Sequence, residues 1–368
     1  MRSAQMQIRN STQLMNEHLL SDKSLPTKKS GSSASLYFQF IYIVINSFIN
    51  TYYDTSNEIT DTFELETNFL NTAKQAAIAG LILGLYFSVC QGFSQKAQSK
   101  NFDQNPLEND REITSPRFPT KILAYSHFFA EINNGAQPLI VFSKLAGMKT
   151  LSPWKIALTY LGITTLSALG NFQELLNTLV AFREEGVGTQ ARTPTHKFWK
   201  IAQFGLNLIN TLLKTSFTLG TLVTDQWNFE KSFLSISWQG YAVSLPFAIF
   251  FSLCESMAHA ATSEHFRRAE INDIETAQPQ LVTSKKLNAL QNILSIGHFT
   301  SDIVEGFEAP YVICKQLNVD KQPGIVKGFT YGAMGLYSLF GNIQEFKNTR
   351  TAFLEENDKS ATSTPLAI

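Results

Sequence analysis

Residues His127–Glu185 and His298–Glu356 are one segment written twice. Set over each other without a gap, His127 falls on His298, Glu131 on Asp302, Gly135 on Gly306, Lys144 on Lys315 and Tyr160 on Tyr331. Gly170-Asn171-Phe172-Gln173-Glu174 falls on Gly341-Asn342-Ile343-Gln344-Glu345, and Asn177, Thr178, Ala181 and Phe182 meet their counterparts further on. About a third of the positions are identical over this span, too many for chance. Whatever this chain folds into has to accommodate a duplication.

The upstream halves match as well, at a slightly different constant offset. Phe40 lies on Phe204, Ile45 on Ile209, Asn46 on Asn210, Thr51 on Thr215 and Asp61 on Asp225. Phe87 and Ser88 lie on Phe251 and Ser252, and Cys90 on Cys254. One unit therefore occupies 36–185 and returns at 200–356, with a linker over 186–199. The polar stretch 1–35 has no apolar period and, with 357–368, is expected to be a disordered tail. No cleavable signal peptide is expected, because the first apolar run lies too far from Met1.

Each unit holds four helical patterns, about 36–53, 70–97, 119–146 and 155–184, then about 199–222, 230–262, 286–316 and 325–356. Gly31–Tyr53 and Gln75–Gln95 carry no charge and reach the roughly twenty residues that a membrane-crossing helix needs. Within the second, Gly80 and Gly84 form a G-x-x-x-G, which lets two helix backbones approach. If all eight helices cross, the tails and the connectors 98–118, 185–198 and 263–285 share one side. With their flanks they hold about 21 of the 30 Lys and Arg, the bias of cytosolic loops. The expected fold is an all-α, eight-helix polytopic membrane bundle built from two tandem parallel four-helix repeats, with both termini cytosolic. Four spans per unit is an even number, so the copies would be related by an axis along the membrane normal.

Polar groups inside these helices mark the candidate site. The third helix of each unit reads His127, Glu131, Gly135, Pro138 and then His298, Asp302, Gly306, Pro310. Four-residue spacing puts each His and its acid on one helix face. Such a pair can hold a proton or supply two ligands to a divalent cation, though the metal itself is not specified. Gly and then Pro are expected to weaken or break the helix just beyond and free carbonyls. The fourth helices carry a polar stripe that includes Asn171 and Glu174, repeated as Asn342 and Glu345. A stripe at that spacing faces a neighbour or a lumen. The bland reading of both patterns is hydrogen-bond glue between helices.

Other classes are excluded by what is missing. Thirty basic and thirty acidic residues balance, so nothing favours nucleic acid. Cys90, Cys254 and Cys314 make no disulfide framework and no paired thiolate site. Phosphate-binding glycine loops, H-E-x-x-H and G-x-S-x-G are all absent, so no enzyme and no cofactor are expected. The expected partners are the lipid bilayer and a small solute or cation passing at the unit interface. The alternatives are a membrane-resident scaffold whose stripes only hold helices together, and a soluble helical repeat protein.

The tail Glu355-Glu356-Asn357-Asp358, followed by small hydroxyl residues and Pro365-Leu366-Ala367-Ile368, resembles the translocation tails of bacterial type IVB-secreted effectors. That resemblance implies delivery into a host cell and insertion into a host membrane.

Overall fold

The computed structural model describes residues 33–62, 65, 73–104, 118–147, 151–185, 194–227, 237–276 and 287–362. Among them the protein is all-α. Eight helices follow one another: α1 Ser33–Thr62, α2 Lys74–Gln104, α3 Phe118–Leu145, α4 Pro153–Glu185, α5 Pro194–Trp227, α6 Trp238–Thr276, α7 Ala289–Gln316 and α8 Gly324–Thr362. A short 3-10 turn, Val319–Lys321, joins the last two.

The helices outrun the apolar patterns that predict them. α1 continues nine residues past Tyr53, and α6 continues to Thr276. Neither extension contains Gly or Pro, so nothing in the backbone stops the helix where hydrophobicity ends. Most of the expected tails lie outside the described residues, although α8 runs six residues beyond 356. The break expected at Gly135–Pro138 and Gly306–Pro310 does not occur: α3 and α7 are helical through both prolines. A proline ring removes one backbone N–H, and the turns on either side carry the helix past it.

The glycines act as windows for side chains instead. A Cβ on Gly135 would strike the Tyr42 hydroxyl, and one on Gly306 would crowd Ser338 Oγ. Gly80 and Gly84 let α2 approach α1 at the Tyr52 backbone. Their counterparts on α6, Ser244 and Ala248, are small and fully buried. Gly170 closes on the Tyr42 ring, and Gly341 closes on Leu206. At the ends of α3 and α7, Gly147 and Asn318 both take positive φ, of 84° and 58°. These are the two residue types that enter the left-handed region at least cost, and they sit at matching places.

Packing exchanges partners between the two halves of the chain. α3 pairs with α4, α5 with α6 and α7 with α8, while α2, which meets α1 at Gly80 and Gly84, also packs on α7 and α8. In the same way α6 packs on α3 and α4. Cys90 on α2 meets Gly297 of α7, and both Cys90 and Cys254 are buried as free thiols. Phe102, Phe182, Phe266 and Phe353, near the ends of α2 and α4, within α6 and in the second half of α8, belong to one buried apolar cluster with Leu175, Leu287 and Leu294.

Elsewhere the interior is polar and the outside is greasy. Gln39, Gln173, Asn177, Gln203, Asn348 and many Ser and Thr are buried. Ile78, Ile82, Leu85, Phe247, Phe250, Leu161, Ile201 and Phe329 are exposed. α2 and α6, over Lys74–Phe102 and Trp238–Arg267, are long and apolar enough to cross a membrane. Among the described residues the other six helices, α1 included, do not reach that length and apolarity together. Their mixed composition follows from the polar faces they turn inward.

Candidate functional site

Four bonds of the buried polar network recur in both halves. Ser99 donates to Gln39 Oε1 at 2.8 Å, and Ser263 to Gln203 Oε1 at 2.6 Å. Asn177 Nδ2 donates to Ser99 Oγ at 2.9 Å, and Asn348 Nδ2 to Ser263 Oγ at 3.1 Å. Asn171 Nδ2 donates to the Glu131 carbonyl at 3.1 Å, and Asn342 Nδ2 to the Asp302 carbonyl at 2.9 Å. Ser167 and Ser338 reach the carbonyls of Ile132 and Ile303 in the same way. A helical carbonyl has a second lone pair, and these donors use it to lock α4 to α3 and α8 to α7.

Between the helices lies a cavity of about 340 Å³. It runs along α1 from Gln39 to Asp54 and touches all eight helices. His127, Glu131, Asn171, Glu174, His298, Asp302, Asn342 and Glu345 all line it, as do Gly135, Pro138 and Gly306; Pro310 does not. Pro310 also stands one position past the counterpart of Pro138, so the two prolines are not matched.

Geometry separates these residues by task. His127 and His298 are almost wholly buried. Each anchors one ring nitrogen: His127 Nδ1 to Thr178 Oγ1 at 3.2 Å, His298 Nδ1 to Thr349 Oγ1 at 3.0 Å. The other nitrogens point at the acid one turn on, 3.5 Å from Glu131 Oε1 and 3.4 Å from Asp302 Oδ1. Neither Nε2 has a hydrogen-bond partner, so each presents a lone pair or a proton to the cavity.

The glutamates of the fourth helices diverge. Glu345 accepts from Gln98 Nε2 at 2.6 Å, from Asn348 Nδ2 at 3.2 Å and from Gln203 Nε2 at 3.3 Å. Glu174 accepts from Asn177 Nδ2 at 3.4 Å. Part of the difference has a sequence cause: the position of Gln98 on α2 is Thr262 on α6, too short to reach across. Glu345, Asn171 and Asn342 are thus tied into helix contacts, while Glu174 keeps its carboxylate toward the cavity.

Five further acidic or basic residues line the space: Asp54, Lys214, Glu255, His259 and Glu305. Glu255 accepts from Asn134 Nδ2 at 3.2 Å, and Glu305 from Ser47 Oγ at 3.5 Å. Glu255 and His259 stand four apart on α6, the same spacing as His127 and Glu131 in reverse order. That spacing was the available signal. It is masked by the duplication, because the first half has Gln91 and Gln95 there. With Asp54, Glu131, Glu174, Glu255, Asp302, Glu305 and Glu345 on its walls, the cavity collects carboxylates. Carboxylates this close together favour positive charge among them, as Lys214, imidazolium, protons or a bound cation.

No family model, no curated protein and no solved structure matches this chain.

Proposed function

We propose that this chain is a polytopic membrane protein whose eight helices form two parallel four-helix units around a cation-selective polar cavity. Transport-like passage or binding is the role, and no chemical step is assigned to it. The observation that carries the reading is the contrast between the carboxylate-lined interior and the apolar outer faces of the same helices. In water that distribution would be inverted, and in lipid it is the economical one. Ionisable groups turned into a shared interior mark a substrate or ion path by default in such a setting.

The cavity supplies the parts a cation path needs. His127 with Glu131 and His298 with Asp302 give two like-spaced donor pairs, and Glu174 adds a carboxylate behind the first. The four-phenylalanine cluster near the ends of α2, α4 and α8 gives an apolar plug toward the basic connectors. Those connectors and both termini are assigned to the cytosolic side by their Lys and Arg. The membrane is that of a host cell if the C-terminal tail acts as a secretion signal.

A scaffold reading draws on one specific observation, the full satisfaction of Asn171, Asn342 and Glu345 by helix-to-helix bonds. The two readings part in proteoliposomes. Purified wild type and a His127→Ala/His298→Ala variant are compared for cation flux, after size-exclusion chromatography shows both intact. Flux in the wild type that the variant loses is the expected result. Equal flux in both, or none in either, removes the transport reading and leaves the scaffold.

A further inference from the structure

The two halves of the cavity are not chemically equal. One side brings together His127 and Glu131 of α3 and His259 of α6, with one ligand atom from each lying within 4.8 Å of the others. On the matching side His298 and Asp302 meet a cavity that has Gln95 where His259 stands. We infer that the His127–Glu131–His259 cluster is a single, asymmetric site for a divalent transition-metal ion of the zinc class. The inference deepens the cation-cavity reading and rests on it.

Three arguments support the assignment. The His127 Nε2 to Glu131 Oε1 distance is 3.5 Å, close to the about 3.4 Å edge of a tetrahedron with about 2.1 Å metal–ligand bonds. His127 is 1% exposed, and its Nε2 has no hydrogen-bond partner although it faces the cavity. Its Nδ1 meets Thr178 Oγ1, the outer hydrogen bond that orients a ligating imidazole. The His259 ring stands edge-on to that of His127 at 5.9 Å between centroids, near enough for small side-chain rotations to close the set.

Donor chemistry selects the ion. Two imidazoles and one carboxylate suit zinc, iron or cobalt, whereas magnesium and calcium take oxygen ligands. Glu255, one turn before His259, adds a carboxylate beside the set and balances the ion's second charge. Three protein ligands leave a coordination position open to water or solute, as in sites that exchange their ion or act on it.

The test is a cobalt titration of the full-length protein in detergent, read by visible absorption and by metal analysis after gel filtration. The wild type should bind one equivalent, with the intense bands of a four- or five-coordinate site. His259→Gln, which copies the other half, should weaken binding at least tenfold. His265→Gln, at a buried histidine that does not line the cavity, should leave it within twofold. Absence of wild-type binding, equal binding by His259→Gln, or an equal loss in His265→Gln each overturns the inference. Flux is read separately: stoichiometric metal without flux retains this site and removes the transport reading. Flux without metal binding does the reverse.

Discussion

Nδ1 of His127 lies 3.2 Å from Oγ1 of Thr178, and the same contact recurs between His298 and Thr349 at 3.0 Å. Two buried imidazoles are therefore held by one hydroxyl each, on the helix that follows their own. The hydroxyl sets the ring so that the second nitrogen faces the acid and the cavity.

Removing that hydroxyl should expose its weight. Thr178→Val leaves a buried ring nitrogen without its partner, which costs about 1–3 kcal/mol. Thr178→Ser keeps the oxygen and should cost well under half as much. Thermal unfolding in detergent reads the difference, and equal melting of the two variants would assign the effect to packing alone.

Gly135 and Tyr42 should be coupled. A methyl group at Gly135 meets the Tyr42 hydroxyl, so Gly135→Ala is expected to destabilise by about 1–3 kcal/mol. Tyr42→Phe removes the oxygen that the methyl strikes, and the double variant should recover part of the loss. A double-mutant cycle with no interaction energy contradicts the contact. Gly162 has open space around its would-be Cβ, so Gly162→Ala in mid-helix should instead stabilise by about 0.5–1 kcal/mol.

Outer faces discriminate membrane from water. Ile82 is 63% exposed on α2 and Phe247 is 55% exposed on α6. If these faces meet lipid, Ile82→Glu or Phe247→Glu costs about 2.5–3.5 kcal/mol on insertion and should empty the carbonate-resistant membrane fraction. In a water-facing bundle the same changes would raise solubility, and carbonate would release the wild type.

Phe266, 1% exposed, sits at the centre of the phenylalanine cluster and stands 5.6 Å from Phe102, ring to ring. Phe266→Ala should lower stability by about 3–5 kcal/mol. If the cluster closes the cavity, the variant also leaks a small polar dye from proteoliposomes faster than wild type at a temperature where both are folded. An unchanged leak would confine Phe266 to a packing role.

Much of the architecture was legible beforehand because it is local. Apolar runs and 3.6-residue stripes placed all eight helices; α1, α2 and α6 run on at their C-terminal ends through polar sequence, while α2, α6 and α7 begin at Lys74, Trp238 and Ala289, later than the apolar pattern suggests. The His–acid pairs were legible for the same reason, since four residues is one turn. The prolines misled: a helix break was expected from local propensity, and neighbouring turns override it. Only two helices meet the length and apolarity of a span, because the others carry inward polar groups that dilute them.

The sequence by itself determined that there are eight helices, that they come as a duplicated set, and which residues share a turn. The tertiary structure alone decided that α2 and α6 also pack on helices of the other half, that His259 and Glu255 join His127 and Glu131, and that Glu345 is tied where Glu174 is not. The physical reason is that periodicity sets which residues share a helix face. The crossing of two helices, set by small residues such as Gly84, Gly297 and Gly341, decides which faces meet.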